Sequence, residues 1–198
     1  MLDKKLMKSR LVSAAITACL VAGTAMTPAF AGPGKVFVGT NHTNMSVIDF
    51  NDDEPANQIA MYDRSINGTL DLMGFWDTGG QGSGPAVRFA GDGLGSSHSV
   101  WLHQNRRFLF ATNAGSDTLS VFRIRINGLP LVDVEPTGDG SVSQRFPNSV
   151  TQHGRLVYVL NSGGNGSITG FWMSSRGTLR PIPGSTRGIP VSYTHLRA

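Results

Sequence analysis

Cysteine is almost absent from this 198-residue chain, and the one copy, Cys19, lies in the N-terminal leader. Beyond it neither disulfides nor thiolate metal sites can stabilise the fold, which must rest on packing and sheet pairing. Long apolar runs are missing as well, apart from Leu11 to Met26. That run follows Lys4, Lys5, Lys8 and Arg10 and precedes Thr27, Pro28 and the small-residue stretch Ala29-Phe30-Ala31. It is shorter than the ~20 residues of a membrane span, so residues 1–31 read as a secretory signal peptide cleaved after Ala31. A second export route stays open, because Ile16-Thr17-Ala18-Cys19 has the form of a lipoprotein box in which Cys19 is lipidated. Either way the expected location is periplasmic or extracellular. The excess of positive charge is only nominal. Of 17 Lys and Arg and 13 Asp and Glu, four basic residues and one acidic residue go with the leader, which leaves +1. No later cluster interleaves Lys and Arg with aromatics, so no nucleic-acid partner is expected, and no membrane beyond the export signal.

Signatures of metal and nucleotide chemistry are lacking too, so no metal and no cofactor is expected. His42, His103 and His153 are scattered among turns without a paired His or Cys at ligand spacing. Asp49, Asp52, Asp53 and Glu54 gather four carboxylates without calcium-loop spacing, which reads as a solvated turn. Gly91-Asp92-Gly93-Leu94-Gly95 lacks dinucleotide spacing and precedes no helix. No nucleophile-elbow serine is present, and no helix is expected beyond the leader.

What is present is repetition. Ile59 to Leu70, Leu119 to Leu131 and Ile168 to Leu179 each run apolar, polar, any residue, aromatic (Tyr62, Phe122, Phe171), and then six positions on a glycine (Gly68, Gly128, Gly177). A hairpin copied at a period of about 49 residues marks an all-β propeller of four-stranded antiparallel blades. The second blade reads as strands at Ser99 to Leu102, Phe108 to Thr112, Thr118 to Ile124 and Leu131 to Val134, with Asn127-Gly128 as the strongest two-residue turn signal. The third reads as Ser149 to Gln152, Leu156 to Leu160, Ser167 to Trp172 and Leu179 to Ile182. In the first, Val36 to Gly39 is the second strand, and Asn44 to Ala56 is an insertion that holds a loop or an added strand at Met45 to Phe50. Asn113 and Asn161, with Asn41 as the first-blade counterpart, read as structural turn asparagines that tolerate a left-handed conformation or bond their own backbone. Trp76, Trp101 and Trp172 read as packing between blades. Gly79 to Gly95, with seven glycines, is a second insertion, either functional or disordered.

Residues 32–190 supply about three blades, whereas closed propellers carry ~4 to 8, so the chain reads as the N-terminal part of a longer repeat protein. Gly188-Ile189-Pro190 has the look of the approach to a further inner strand. Residues 191–198 lose the pattern and are read as sequence foreign to the repeat.

The combination Arg107-Phe108-Leu109-Phe110-Ala111-Thr112-Asn113, Thr118-Leu119-Ser120-Val121-Phe122, Val157-Tyr158-Val159-Leu160-Asn161, Ile168-Thr169-Gly170-Phe171 and Pro183-Gly184-Ser185-Thr186 resembles the lactonase-like seven-bladed propeller family. That family includes propeller-type 6-phosphogluconolactonase and the fungal cycloisomerase acting on carboxymuconate. The resemblance covers Lys35 to Pro190, and it implies three blades of seven. In family members a Pro-His-Pro-His-Ser run opens an inner strand facing the central funnel. Here Gly95-Ser96-Ser97-His98-Ser99 stands in its place, so His98 and Ser99 match while Ser96 replaces the first histidine. The resemblance implies hydrolysis or isomerisation of a lactone or cyclic ester, with His98 as the catalytic base and Arg88 as the group that binds a substrate carboxylate or phosphate. Such a reaction needs a base to activate water and donors to hold the oxyanion. The other reading is a non-catalytic secreted propeller that binds a partner through its loops, above all Gly79 to Gly95.

Overall fold

The computed structural model describes residues 33–43, 56–84, 94–141 and 144–189. The leader with Cys19, the carboxylates between Asp49 and Glu54, Arg88 and residues 190–198 lie outside the described residues.

The described chain forms three antiparallel sheets and no α-helix. Blade one contains β1 (Gly34–Gly39), β2 (Gln58–Arg64) and β3 (Leu70–Asp77). Blade two contains β4 (Val100–Leu102), β5 (Phe108–Asn113), β6 (Thr118–Arg123) and β7 (Leu131–Pro136). Blade three contains β8 (Pro147–His153), β9 (Leu156–Asn161), β10 (Ser167–Met173), β11 (Leu179–Pro181) and β12 (Arg187–Gly188). Apart from β12, which pairs with β10, the strands of each blade pair in chain order, so the expected partial propeller is the observed fold.

The strands of blade two read as nearly continuous apolar runs because both faces of their sheet are covered. Phe108, Phe110, Leu119 and Val121 point one way and pack on Val157, Val159, Phe171 and Met173 of blade three. Leu109, Ala111 and Phe122 point the other way and pack on Ile59 and Met61 of blade one. A sheet whose alternate residues enter two different cores must lie between two others, which is the face-to-face stacking of neighbouring blades. Burial of each Phe stabilises by about 1.5–3 kcal/mol. The outer faces of the arc carry the equivalent residues exposed, among them Val38, Leu72 and Phe75 on blade one and Tyr158, Ile168 and Trp172 on blade three. Trp76 and Trp101 pack between blades as expected. Trp172 does not, since it projects from the open face of blade three and is 48% exposed.

The shared glycine spacing conceals two kinds of turn. In blades one and three the loop closes in five residues, with Gly68 N donating to Ser65 O and Gly177 N to Ser174 O. Both glycines are left-handed, at φ 89° and 102°. In blade two Arg125 N donates to Gly128 O inside a longer connection closed by Arg123 N to Pro130 O, so Asn127-Gly128 is not the two-residue turn its sequence suggests. Gly128 is not left-handed, and a Cβ there would meet the indole of Trp76 in blade one at an ordinary contact distance of 3.4 Å.

The asparagines differ from expectation in a related way. Only Asn41 is left-handed, at φ 57°. The register pairs Asn113 with Thr118 and Asn161 with Ser167, and the first-blade residue in that position is Thr40, one place before Asn41. Asn113 and Asn161 are fully buried and serve as latches between blades. Asn113 Oδ1 accepts from Asn57 Nδ2 at 2.8 Å, and its own Nδ2 donates to Ser120 Oγ at 2.7 Å and Thr118 Oγ1 at 2.9 Å. Asn161 Nδ2 donates to Thr137 O at 3.0 Å. Thr137 and its counterpart Thr78, each just past an outer strand, donate through backbone and side chain to the residue preceding the third strand, Asp117 and Asn57 respectively. Ser120 Oγ in turn donates to Thr78 O at 2.6 Å.

Blade three departs from the four-strand plan at its outer edge. β11 and β12 both pair with β10, separated by the excursion 182–186. Gly188 lies opposite Ser167 as Pro136 lies opposite Thr118, and Ile189 N donates to Gly166 O at the place of Thr78 and Thr137. Residues 187–188 therefore complete the outer strand of blade three, so of the segment Gly188-Ile189-Pro190 the first residue belongs to that strand, while Pro190 lies outside the described residues.

Candidate functional site

Strand order fixes which segments meet. The loops between second and third strands, together with the connections from one blade to the next, gather at one end of the arc, here called the upper end. The turns between first and second and between third and fourth strands gather at the lower end. His98 stands at the upper end, two residues before β4, and Val150 N of β8 donates to its carbonyl oxygen at 3.0 Å. Its imidazole is exposed and meets the edge of Trp101, with ring centroids 4.8 Å apart and planes at 82°. Among the described residues it makes no hydrogen bond and no ion pair. It borders an open cleft of about 150 Å³ with Ser149, Thr151, Tyr158, Leu160 and Ile168.

Two further polar groups lie beside it. Val100 faces Ala111 as Val150 faces Val159, so His98 and Asn148 hold the same place in successive blades. Asn148 is the extra residue of a β-bulge between Pro147 and Ser149, and bulges redirect a side chain out of the ladder. Its Nδ2 reaches Leu94 O and Gly95 O at the long distances of 3.5 and 3.4 Å, while its Oδ1 is buried without a partner. The buried hydroxyl of Ser96 is also without a partner. Buried polar groups are almost always bonded, so two orphans at the same end as the exposed imidazole are places where an outside molecule can supply the missing bonds. Sequence reasoning found His98 and missed Asn148. The signal was the alignment of Ser97-His98-Ser99-Val100 with Pro147-Asn148-Ser149-Val150.

Arg88, the expected anion clamp, lies outside the described residues, as does most of the Gly79 to Gly95 insertion. Its described start, residues 79–84, runs between blades one and two: Gly82 N donates to His42 O, Gly84 N to Asn41 O, and Gly115 N to Gln81 O. His103 and His153 belong to the lower end. His103 is buried, its Nδ1 accepting from Asn105 N at 3.0 Å, and burial pulls its pKa below 6.5 against opposing bonds to Gly154 and Asn105. Among the described residues no group of His, Cys, Asp and Glu could hold a metal ion. Chemically the upper end offers an exposed imidazole, several hydroxyls, and an amide that can donate and accept.

No family profile and no curated protein matches the chain. Its likeness is to solved structures. A protein of unknown function from Desulfotomaculum acetoxidans aligns at 15% identity and TM-score 0.51, over 67% of this chain and 35% of that one. A Sulfolobus tokodaii protein named as a hypothetical selenium-binding protein aligns at 13% and 0.50, over 78% and 38%. These two support the fold alone, and the chain spans little more than a third of their length. A Bacteroides fragilis protein provisionally named 6-phosphogluconolactonase aligns at 13% over 68% of this chain and 52% of that one, with a TM-score of 0.43, too low to bear on chemistry.

Proposed function

We propose that the chain is part of an exported lactonase-like propeller protein that opens a lactone or similar cyclic ester at the upper end of its channel. The observation that carries this reading is the exposed imidazole of His98, without a hydrogen bond among the described residues, at the same end as the orphaned polar groups of Ser96 and Asn148. His98 takes a proton from water as the water oxygen bonds to the ester carbonyl carbon. The oxyanion is held by the Ser96 hydroxyl and the loosely engaged Nδ2 of Asn148. The ring C–O bond then breaks, and the proton passes from His98 to the departing alkoxide. Arg88 binds a carboxylate or phosphate on the substrate. Hydrolysis of a panel of sugar and aliphatic lactones, followed by proton release, tests the reading. His98→Ala is expected to lower kcat by 10²- to 10⁴-fold, the usual span for a general base. Equal rates in the variant and the wild type retire the catalytic role.

A second reading, a non-catalytic binding propeller, draws on the lack of any described carboxylate or carbonyl to orient the His98 ring. Tight lactone binding with no turnover by either protein would favour it.

A further inference from the structure

The opposite end of the molecule carries a feature that the overall charge hides. Arg106 and Arg107 stand in the β4–β5 turn, Arg123 and Arg125 at the β6–β7 turn, Arg155 between β8 and β9, and Arg176 between β10 and β11. All six belong to the lower end of blades two and three. The described ion pairs are elsewhere: Lys35 with Asp63 in blade one, and Arg145 with Asp117 at the upper end. Asp77, Asp117, Glu135 and Asp139 are at or near the upper end. Asp63, Asp71 and Asp133 lie towards the lower end as well, Asp133 accepting from Leu179 N at 2.6 Å, but the arginines outnumber them, so the lower end of blades two and three is basic.

The basic groups are positioned rather than loose. Arg123 lies over the Phe108 ring, 4.7 Å from its centroid, and donates to Arg176 O at 3.0 Å. Arg155 Nε donates to Met173 O at 2.9 Å, which leaves its terminal nitrogens for a ligand. Arg106 is left-handed at φ 56°, in a turn whose counterpart in blade three uses Gly154 at φ 59°. A bulky residue in that conformation is uncommon and strained, and strain of this kind concentrates at functional sites. Two of the six, Arg107 and Arg155, border a cleft of about 220 Å³ between blades two and three, lined also by Asn105, Ser174 and Ser175 over a floor of Phe108 and Met173. The Phe108 ring is only 2% exposed.

We propose that this lower end binds an acidic polysaccharide, with one carboxylated or sulfated sugar seated in the cleft between Arg107 and Arg155. Guanidinium groups suit carboxylate and sulfate oxygens, and the amide and hydroxyls of Asn105, Ser174 and Ser175 suit ring hydroxyls. The aromatic ring in the cleft is covered, so no face is open on which a nucleic-acid base could stack. A recess between blades admits a protruding sugar but not the plane of a bilayer.

The test measures binding of the full chain to polygalacturonate at 50 and 200 mM salt, beside neutral dextran, an oligothymidylate of matched charge, and phosphatidylglycerol vesicles. Polygalacturonate is expected to bind best, and more weakly at the higher salt. Arg107→Ser is expected to weaken it about tenfold, the effect of one charge-assisted contact. Arg107 makes no described side-chain hydrogen bond, so this variant keeps its fold, and Arg176→Ser, which retains the carbonyl used by Arg123, serves as a second. His98→Ala at the far end is expected to bind as the wild type does. Unchanged affinity in both arginine variants overturns the proposal. So does binding to dextran, oligothymidylate or vesicles that equals or exceeds binding to polygalacturonate.

Discussion

Asn113→Ala is the sharpest test of how the blades are joined. The side chain is fully buried and makes three hydrogen bonds, at 2.7, 2.8 and 2.9 Å, to Ser120, Asn57 and Thr118. Truncation removes all three, and at about 1 kcal/mol net for each the loss is about 3 kcal/mol. Some relief is available, because Asn57 Nδ2 keeps Thr112 O at 3.2 Å and Ser120 Oγ keeps Thr78 O. Relief by collapse is not, since Gly80 already packs so closely that a Cβ there would lie 2.6 Å from the Asn113 amide. Asn161 is the internal comparison. Two of its bonds, to Ser167 and Thr169, are 3.3 Å long and its Oδ1 has no partner, so Asn161→Ala is expected to cost roughly half as much, ~1.5 kcal/mol. Urea titration followed by tryptophan fluorescence reads both. With a slope of about 2 kcal/mol/M the expected midpoint shifts are about 1.5 M and about 0.7 M. If the two variants shift equally, or Asn113→Ala shifts by less than ~0.5 M at unchanged slope, these latches do not carry the energy assigned to them.

Gly177→Ala is expected to destabilise by about 3 kcal/mol, because φ is 102° there and the new Cβ would lie 2.5 Å from the Phe108 ring. Gly68→Ala, with φ of 89° but open space around it, is expected to cost only the backbone strain of about 1 kcal/mol, and thermal melts of the pair compare the two terms directly. Burial holds the folded-state pKa of His103 below 6.5. The unfolded chain therefore takes up a proton there before the folded one does, so stability present above pH 6.5 is lost as the pH falls through that value towards the folded pKa. Urea midpoints between pH 7.5 and 5.5 are expected to fall less in His103→Gln than in the wild type; parallel profiles would refute the assignment.

The blades were legible because the hairpin pattern depends on local chemistry: alternation along a strand, an aromatic at one register, a glycine at a turn. What the sequence concealed depends on neighbours. Gly128 matches Gly68 and Gly177 in spacing, yet its backbone is not left-handed and it packs instead against Trp76 across the blade interface. Asn113 and Asn161 were rightly read as structural, but their partners Asn57 and Thr137 belong to the preceding blade and come near only when the sheets stack. Of the candidate site, His98 was visible through the resemblance, whereas Asn148 depends on a bulge that strand periodicity cannot reveal. The six arginines were invisible as a group because turns far apart in sequence bring them together.

The latch also sets an order of amide exchange. Thr78 and Thr137 donate their N–H groups to Asn57 O and Asp117 O, and their carbonyls each accept from a buried polar side chain of the following blade, Ser120 and Asn161 respectively. Ile189 N–H fills the same role towards Gly166, but no described side chain clamps its carbonyl. Deuterium should therefore enter first at the outer rim of blade three and last between blades one and two, so that opening proceeds inward from one flank, like a fan being unfolded from its last rib.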